Sequence, residues 1–281
     1  MDILPRGSFN VNPATGVDLA ISDHVSDFLW AVTAVYTVAF FIILVPSFTA
    51  PESKRVFNYT LSMALLVGAV TYFAQASDLG WDAVEQSNGL TSQVFYARYI
   101  NWVVSFPALV LSLGLLSGIS WTTIILNIVC SWFWIINYLI AAYTTTSYKW
   151  GFFAFGTFAC VILAMSTINE SRESAENIGI SRDYLILAGW VTLIWTLYPV
   201  AFGLSDGSHV IDVNGGFIFF GVLDVLLLPV ASIGFLLLSS HWDFAALQLD
   251  FSEYRGVRHS RIPLEKGGSS DGSDRPGPAE V

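Results

Sequence analysis

GFIFFGVLDVLLLPVASIGFLLLS fills residues 216–239, and the only charged side chain in it is Asp224. A helix rising about 1.5 Å per residue crosses the roughly 30 Å hydrocarbon core of a bilayer in about 20 residues. This run is long enough to do so. Outward from it, six more apolar runs of spanning length lie at 25–47, 56–76, 96–117, 120–143, 150–168 and 184–204, joined by short polar connectors. The composition agrees, since 54% of the 281 residues are hydrophobic and only 12% are charged, against roughly 25% charged in a soluble domain. The expected fold is an all-α membrane protein, a bundle of seven transmembrane helices, with no repeat and no room for a second soluble domain.

Charge fixes the expected orientation. Lys54 and Arg55 follow span one, Arg172 and Arg182 follow span five, and Arg255, Arg258, Arg261, Lys266 and Arg275 follow span seven. The opposite end carries Arg6 and Lys149 beside Asp78, Asp82, Glu85, Asp206 and Asp212. The positive-inside rule then puts the N-terminus outside and the C-terminus in the cytosol. Residues 1–22 lack the basic and apolar regions of a cleavable signal, so they form an extracellular segment and span one directs insertion. Four segments are expected: 1–22, the bundle at 23–240, a juxtamembrane stretch at 241–266 and a tail at 267–281. In the third, Phe244, Leu247, Phe251 and Tyr254 recur at helical spacing beside Arg255, Arg258 and Arg261. It is either an amphipathic helix on anionic lipid or a plain cytosolic cap. The tail, GGSSDGSDRPGPAEV, is too polar to offset the entropy of ordering it. The net charge of −10 excludes a phosphate-binding surface and with it nucleic acid. Cys130 and Cys160 lie within apolar runs and behave as small hydrophobes.

Ionisable groups inside a span cost about 2.5–3.5 kcal/mol on insertion scales, so each needs a partner or a purpose. Arg98 in span three and Asp224 in span seven are candidates for each other, as a functional or a purely structural pair. Pro107, Pro199 and Pro229 interrupt spans three, six and seven, with Trp102, Trp195, Tyr198 and Phe202 close to two of them. Such aromatics either pack the bundle or line a central pocket.

The runs RYINWVVSFPALVLSL (98–113), WTLYPVAFGLSDG (195–207) and GVLDVLLLPV (221–230) resemble the microbial (type I) rhodopsins, in their fungal branch. SYKWGFFAFGTF (147–158) and YFAQASDLG (72–80) extend the resemblance over spans two to seven. It implies seven helices around a retinal held as a Schiff base by a lysine, one turn beyond the span-seven aspartate in a pattern like L-D-x-x-x-K-P. Asp224 and Pro229 keep that pattern, but the lysine position is Leu228. The three lysines, Lys54, Lys149 and Lys266, lie at connectors or in the tail. A Schiff base needs a primary amine, so no covalent retinal cofactor is expected.

The resemblance also shows what else has changed. The proton-acceptor position, three residues after Arg98, is Asn101, which takes no proton at ordinary pH. Ser105 keeps a hydroxyl, the internal donor position is Ser112, and one release-group position is Gly216 while Asp206 matches the other. Of the pocket walls, Trp102 and Trp195 match the tryptophans that sandwich the polyene, and Tyr72, Tyr198 and Arg98 match partners of the span-seven aspartate. Phe133, Asn137, Phe153 and Phe202 complete the wall, with Phe153 and Phe202 replacing tryptophans and Asn137 replacing a glycine.

This pattern is similar to the fungal opsin-related proteins, a lysine-less subfamily related to stress-induced, heat-shock-type plasma-membrane proteins. It implies a non-photochemical, non-enzymatic protein that acts on other membrane components, with modulation of a proton-pumping ATPase the specific expectation. Family members also form homo-oligomers within the bilayer. The alternative is a receptor holding retinal, another isoprenoid or a sterol without a covalent bond. A pocket filled by Leu228, Phe153 and Asn137 would leave such a ligand no room. A light-driven pump lacks its lysine at 228 and its carboxylate at 101. An enzyme lacks a site, because His24, His209, His241 and His259 lie at span ends or beyond.

Overall fold

The computed structural model describes residues 11–86 and 89–242. The juxtamembrane stretch beyond Trp242 and the tail at 267–281 lie outside the described residues.

Among these, seven helices are long and apolar enough to cross a membrane: Asp23–Ser47, Lys54–Ala76, Tyr96–Ser117, Trp121–Tyr143, Lys149–Ile178, Ser181–Gly207 and Val213–His241. They are called spans one to seven below. Their cores coincide with the apolar runs, because hydrophobic length is what decides a spanning helix. The main difference is span five, which continues past residue 168 through a π-helical turn at Ser166–Glu170 into a polar helix, Ser171–Ile178. Span one packs against spans two and seven, and each later span packs against its sequence neighbours, so the ring closes. Span three is the most enclosed of the seven.

The prolines show how the bundle balances its backbone. A proline lacks the N–H that would bond the carbonyl four residues earlier, and no water is at hand in a bilayer to replace it. Pro107 leaves the carbonyl of Val103 free, and the Trp132 indole N–H of span four donates to it at 3.1 Å. Pro199 leaves that of Trp195, and the Cys160 thiol of span five lies 3.9 Å away as its donor. Beside Pro229, the Trp190 indole donates to the carbonyl of Leu226 at 2.8 Å. The π-helical turn of span five is served in the same way, with the Tyr184 hydroxyl donating to the carbonyl of Thr167 at 2.7 Å. Cys160 is therefore a weak backbone donor as well as a core residue.

Between spans two and three stands a β-hairpin that the hydropathy pattern does not announce. β1 (Asp82–Glu85) pairs antiparallel with β2 (Thr91–Val94), Asp82 opposite Val94 and Glu85 opposite Thr91. The signal for it was Asn88-Gly89, a turn dipeptide between short alternating runs. The N-terminal segment joins this cap: Asp18 and Leu19 N–H groups donate to the carbonyl of Thr91, and Gln93 N–H donates to that of Leu19.

Close approach of spans one and two depends on Gly68. A Cβ there would fall inside the ring of Tyr36, which is fully buried. Gly68→Leu is therefore expected to destabilise by more than the 1–3 kcal/mol typical of overpacking, read as a lowered thermal midpoint in detergent. An unchanged midpoint would show that Tyr36 is free to move.

Candidate functional site

The centre of the bundle is organised on Asp224, one turn before Pro229 and 2% exposed. Four donors from three other spans converge on its carboxyl group. Tyr72 of span two donates to Oδ2 at 2.5 Å and Asn101 of span three at 3.3 Å. Trp102 of span three donates to Oδ1 at 2.9 Å and Tyr198 of span six at 2.5 Å. Tyr36 of span one adds a bond to the backbone carbonyl of the same residue at 3.0 Å. A carboxylate is an acceptor with about four lone-pair sites, and each has a donor here. The carboxyl group ties spans two, three, six and seven together, with span one joined through the backbone.

Arg98 has a different partner from the one the sequence suggests. Its guanidinium lies 3.3 Å from Asp206 Oδ2, at the far end of span six, and stacks over Phe217 and Phe220 with centroids at 4.2 and 4.4 Å. Asp224 is thus held by neutral donors, and the ion pair of Arg98 is with Asp206 instead. Trp102 and Asn101 fill the aspartate's coordination, and the arginine is turned outward onto aromatic faces that favour a cation. Tyr99 also donates to Asp206 at 3.4 Å.

Beside this centre, the two tryptophans that resemble a polyene sandwich enclose a phenylalanine. The Phe106 ring lies 6.0 Å from Trp102, nearly parallel at 21°, and 5.9 Å from Trp195. Trp134 of span four closes on it at 5.0 Å and meets Trp195 edge-on at 6.4 Å. Tyr198 completes the cluster at 5.2 Å from Phe106. All five side chains are at most 1% exposed, so the space between the tryptophans holds side-chain rings. Leu228, at the lysine position, is 1% exposed in the same core.

Tyr36, Phe106 and Trp134 are residues that sequence reasoning missed. Phe106 stands directly before Pro107 within the quoted motif, and its size was the available signal. Trp134 was displaced by one position. The expected wall residue, Phe133, is half exposed on the outer surface while Trp134 faces inward. A helix turns 100° per residue, so a shift of one moves a side chain from pocket to lipid, and span four has little motif to fix its register. Asn137 is buried and spends its amide N–H on the carbonyl of Phe133, one turn earlier in its own helix, at 2.7 Å. Phe153 stacks on Phe202 at 5.7 Å and on Tyr138 at 5.5 Å, closing the adjacent end of the cluster.

The remaining positions lie toward the two ends. Ser105 and Ser112 are buried on span three. Gly216 packs against the π-helical turn of span six, Gly203–Gly207, where a Cβ would already stand 3.0 Å from that of Ser205. Any side chain at 216 would therefore have to push Ser205 aside. Near it a cavity of about 20 Å³ is bordered by Gln86, Gln93, Arg98, Ser205, Asp206 and His209, space for a single water.

His209 ties this end together. Its Nε2 lies 3.0 Å from Gln86 Oε1, bonding the loop between spans six and seven to the hairpin, and its φ of +54° is left-handed. Desolvation, then the charge of Lys149, lowers its pKa from the usual imidazole value, against an opposing pull from Asp206. Arg98 and Asp212 are the other charges bordering the same cavity. A depressed folded pKa means that the unfolded chain binds the proton more readily. The stabilisation is therefore present above about pH 6.5 and is lost as pH falls through the folded value. Asp78, raised by burial, has the opposite sign, because a raised carboxyl gains stability on protonation. The fall in thermal midpoint from neutral to mildly acid pH is thus expected to be larger for the wild type than for His209→Gln. Equal falls would remove His209 as the cause.

Comparison with known proteins places these observations. The family profile described as bacteriorhodopsin-like protein matches residues 24–242. The opsin-like protein carO of Fusarium fujikuroi is 34% identical over 83% of this chain and 80% of its own length. The 30 kDa heat shock protein of Saccharomyces cerevisiae is 29% identical over 79% of this chain and 75% of its own length. Among solved structures, the light-driven proton pump from Leptosphaeria maculans superposes with a TM-score of 0.76 at 27% identity, covering 82% of this chain and 98% of that one.

Proposed function

The chain belongs to the bacteriorhodopsin-like protein family, and from that membership we propose that it is an opsin-related membrane protein that has given up photochemistry. The observation that carries this reading is Leu228, a buried aliphatic side chain where the family's chemistry needs an amine. Asn101 at the acceptor position and Gly216 at a release position support it, since neither handles protons. Lys54 and Lys149 begin spans two and five and are no substitutes at the core.

The protein works by contact with other components of the plasma membrane, under stress, without enzymatic activity of its own. The similarity to a protein named for heat shock supports this part. Its specific target is a proton-pumping ATPase. The non-covalent ligand reading fares less well at the centre of the bundle, where Phe106 and Trp134 take up the space between the tryptophans.

Two measurements test the proposal. Liposomes carrying the purified chain and all-trans retinal are expected to show no light-dependent pH change, and a light-driven change would overturn the non-photochemical reading. A deletion strain is expected to show altered proton efflux and slower recovery from stress. Unchanged efflux, growth at low pH and recovery would remove the ATPase target.

A further inference from the structure

On the lipid-facing side of the bundle, spans five and six part to form a groove of about 470 Å³. Thr157, Cys160, Ala164 and Ile168 line it from span five, and Thr196 and Pro199 from span six, with Asn169 at one end. Small side chains at 160 and 164 leave the span-five wall low between Val161 and Met165, Pro199 lies within span six, and span five passes through a π-helical turn at Ser166–Glu170. Such turns inside helices are frequent at functional sites.

The walls are preformed and apolar. Thr157 bonds Tyr138 at 2.8 Å, and the Thr196 hydroxyl donates to the carbonyl of Leu193 at 2.7 Å. The hydroxyls along the groove are thus already engaged within the protein. The Tyr184–Thr167 bond braces the π-helical turn against span six. From Thr157 to Asn169 the groove descends roughly 18 Å at the helical rise, about half of the hydrocarbon thickness. Its occupant is therefore hydrocarbon within one leaflet, with a polar end only beside the exposed Asn169 amide.

Charge narrows the class. None of the residues lining the groove is charged and Asn169 is the amide among them, while the neighbouring Glu170 is turned away, accepting from the Thr123 hydroxyl of span four at 3.0 Å. A phosphate headgroup therefore finds no cation among the groove's lining residues to pair with. A neutral hydroxyl meets an amide that both donates and accepts. A rigid body also loses little conformational freedom on entering a preformed groove, where an acyl chain loses much. We propose that this groove is a binding site for a membrane sterol, its hydroxyl at Asn169 and its ring system along Ala164 and Cys160. The site is separate from the aromatic core and does not depend on the stress or ATPase reading.

The test is photo-crosslinking of the full chain in phosphatidylcholine nanodiscs with a diazirine-bearing cholesterol analogue, the labelled residues mapped by mass spectrometry. Labelling is expected within residues 157–169 and 196–199, displaced by unlabelled ergosterol, and strongly reduced by Ala164→Trp, which puts an indole across the middle of the groove. Asn169→Leu, a surface change that leaves packing intact, is expected to weaken displacement about tenfold, the loss of one hydrogen bond at about 1.4 kcal/mol. Labels spread around the lipid-facing perimeter and undisplaced by ergosterol would overturn the site. Equal displacement by dioleoylglycerol would overturn the sterol assignment, as would an unchanged affinity in Asn169→Leu.

Discussion

Asp224→Leu is expected to cost the bundle at least about 2 kcal/mol and up to about 5. The lower figure takes four interhelical hydrogen bonds at the roughly 0.6 kcal/mol each found on average in a membrane bundle. The upper figure applies if the donors are stranded as the partners of a lost buried charge. Tyr72, Asn101, Trp102 and Tyr198 all lose their acceptor together, and none has water to turn to. The larger value should dominate, because these donors come from three different spans and no single shift re-pairs them all. Asp224→Asn keeps one acceptor oxygen and should cost less than half as much. Thermal unfolding in detergent, followed by tryptophan fluorescence, checks both. A midpoint in Asp224→Leu equal to the wild type would show that the four bonds do not hold the bundle together.

The second large effect concerns the lysine position. Restoring the amine alone, as Leu228→Lys, is expected to give no pigment with all-trans retinal, because Phe106 still lies between Trp102 and Trp195 and Trp134 still closes on it. Leu228→Lys combined with Phe106→Ala and Trp134→Ala removes two large rings, and cavities of that size remain open when the surrounding structure relaxes only in part. This triple variant is expected to yield a red-shifted pigment, with Asp224 as the carboxylate nearest along the helix. Circular dichroism establishes that each variant keeps its helices. Pigment in Leu228→Lys alone would show that the aromatic packing is no barrier, and that loss of the lysine alone abolished retinal binding.

Much of the fold was legible because bilayer spanning is written in hydrophobic length. The runs at 96–117 and 25–47 match spans three and one to within a few residues. Asp224 could be singled out because an ionisable group inside a span demands partners, and Tyr72, Trp102 and Tyr198 turn out to be among them. What stayed hidden depends on direction. Phe133 and Trp134 differ by one residue and by which way they face, and apolar composition does not distinguish lipid from core when both are apolar. The partner of Arg98 was hidden for a related reason, since a guanidinium on a long, flexible side chain can point along its helix in either direction and sequence does not say whether it turns toward Asp224 or Asp206. The hairpin at 82–94 is too short and polar to show in hydropathy. The closure of the pocket rests on Phe106, a residue whose size was visible and whose place between two tryptophans was not.

The measurement that bears most directly on the central claim is the absorption spectrum of the purified wild-type protein after incubation with all-trans retinal, with acid denaturation to reveal any Schiff base. With Leu228 in place of the amine and Phe106 between the tryptophans, the spectrum is expected to remain that of free retinal, with no protonated Schiff base on acidification. A red-shifted band from the wild-type chain, covalent or not, would contradict both the lost chemistry and the filled pocket.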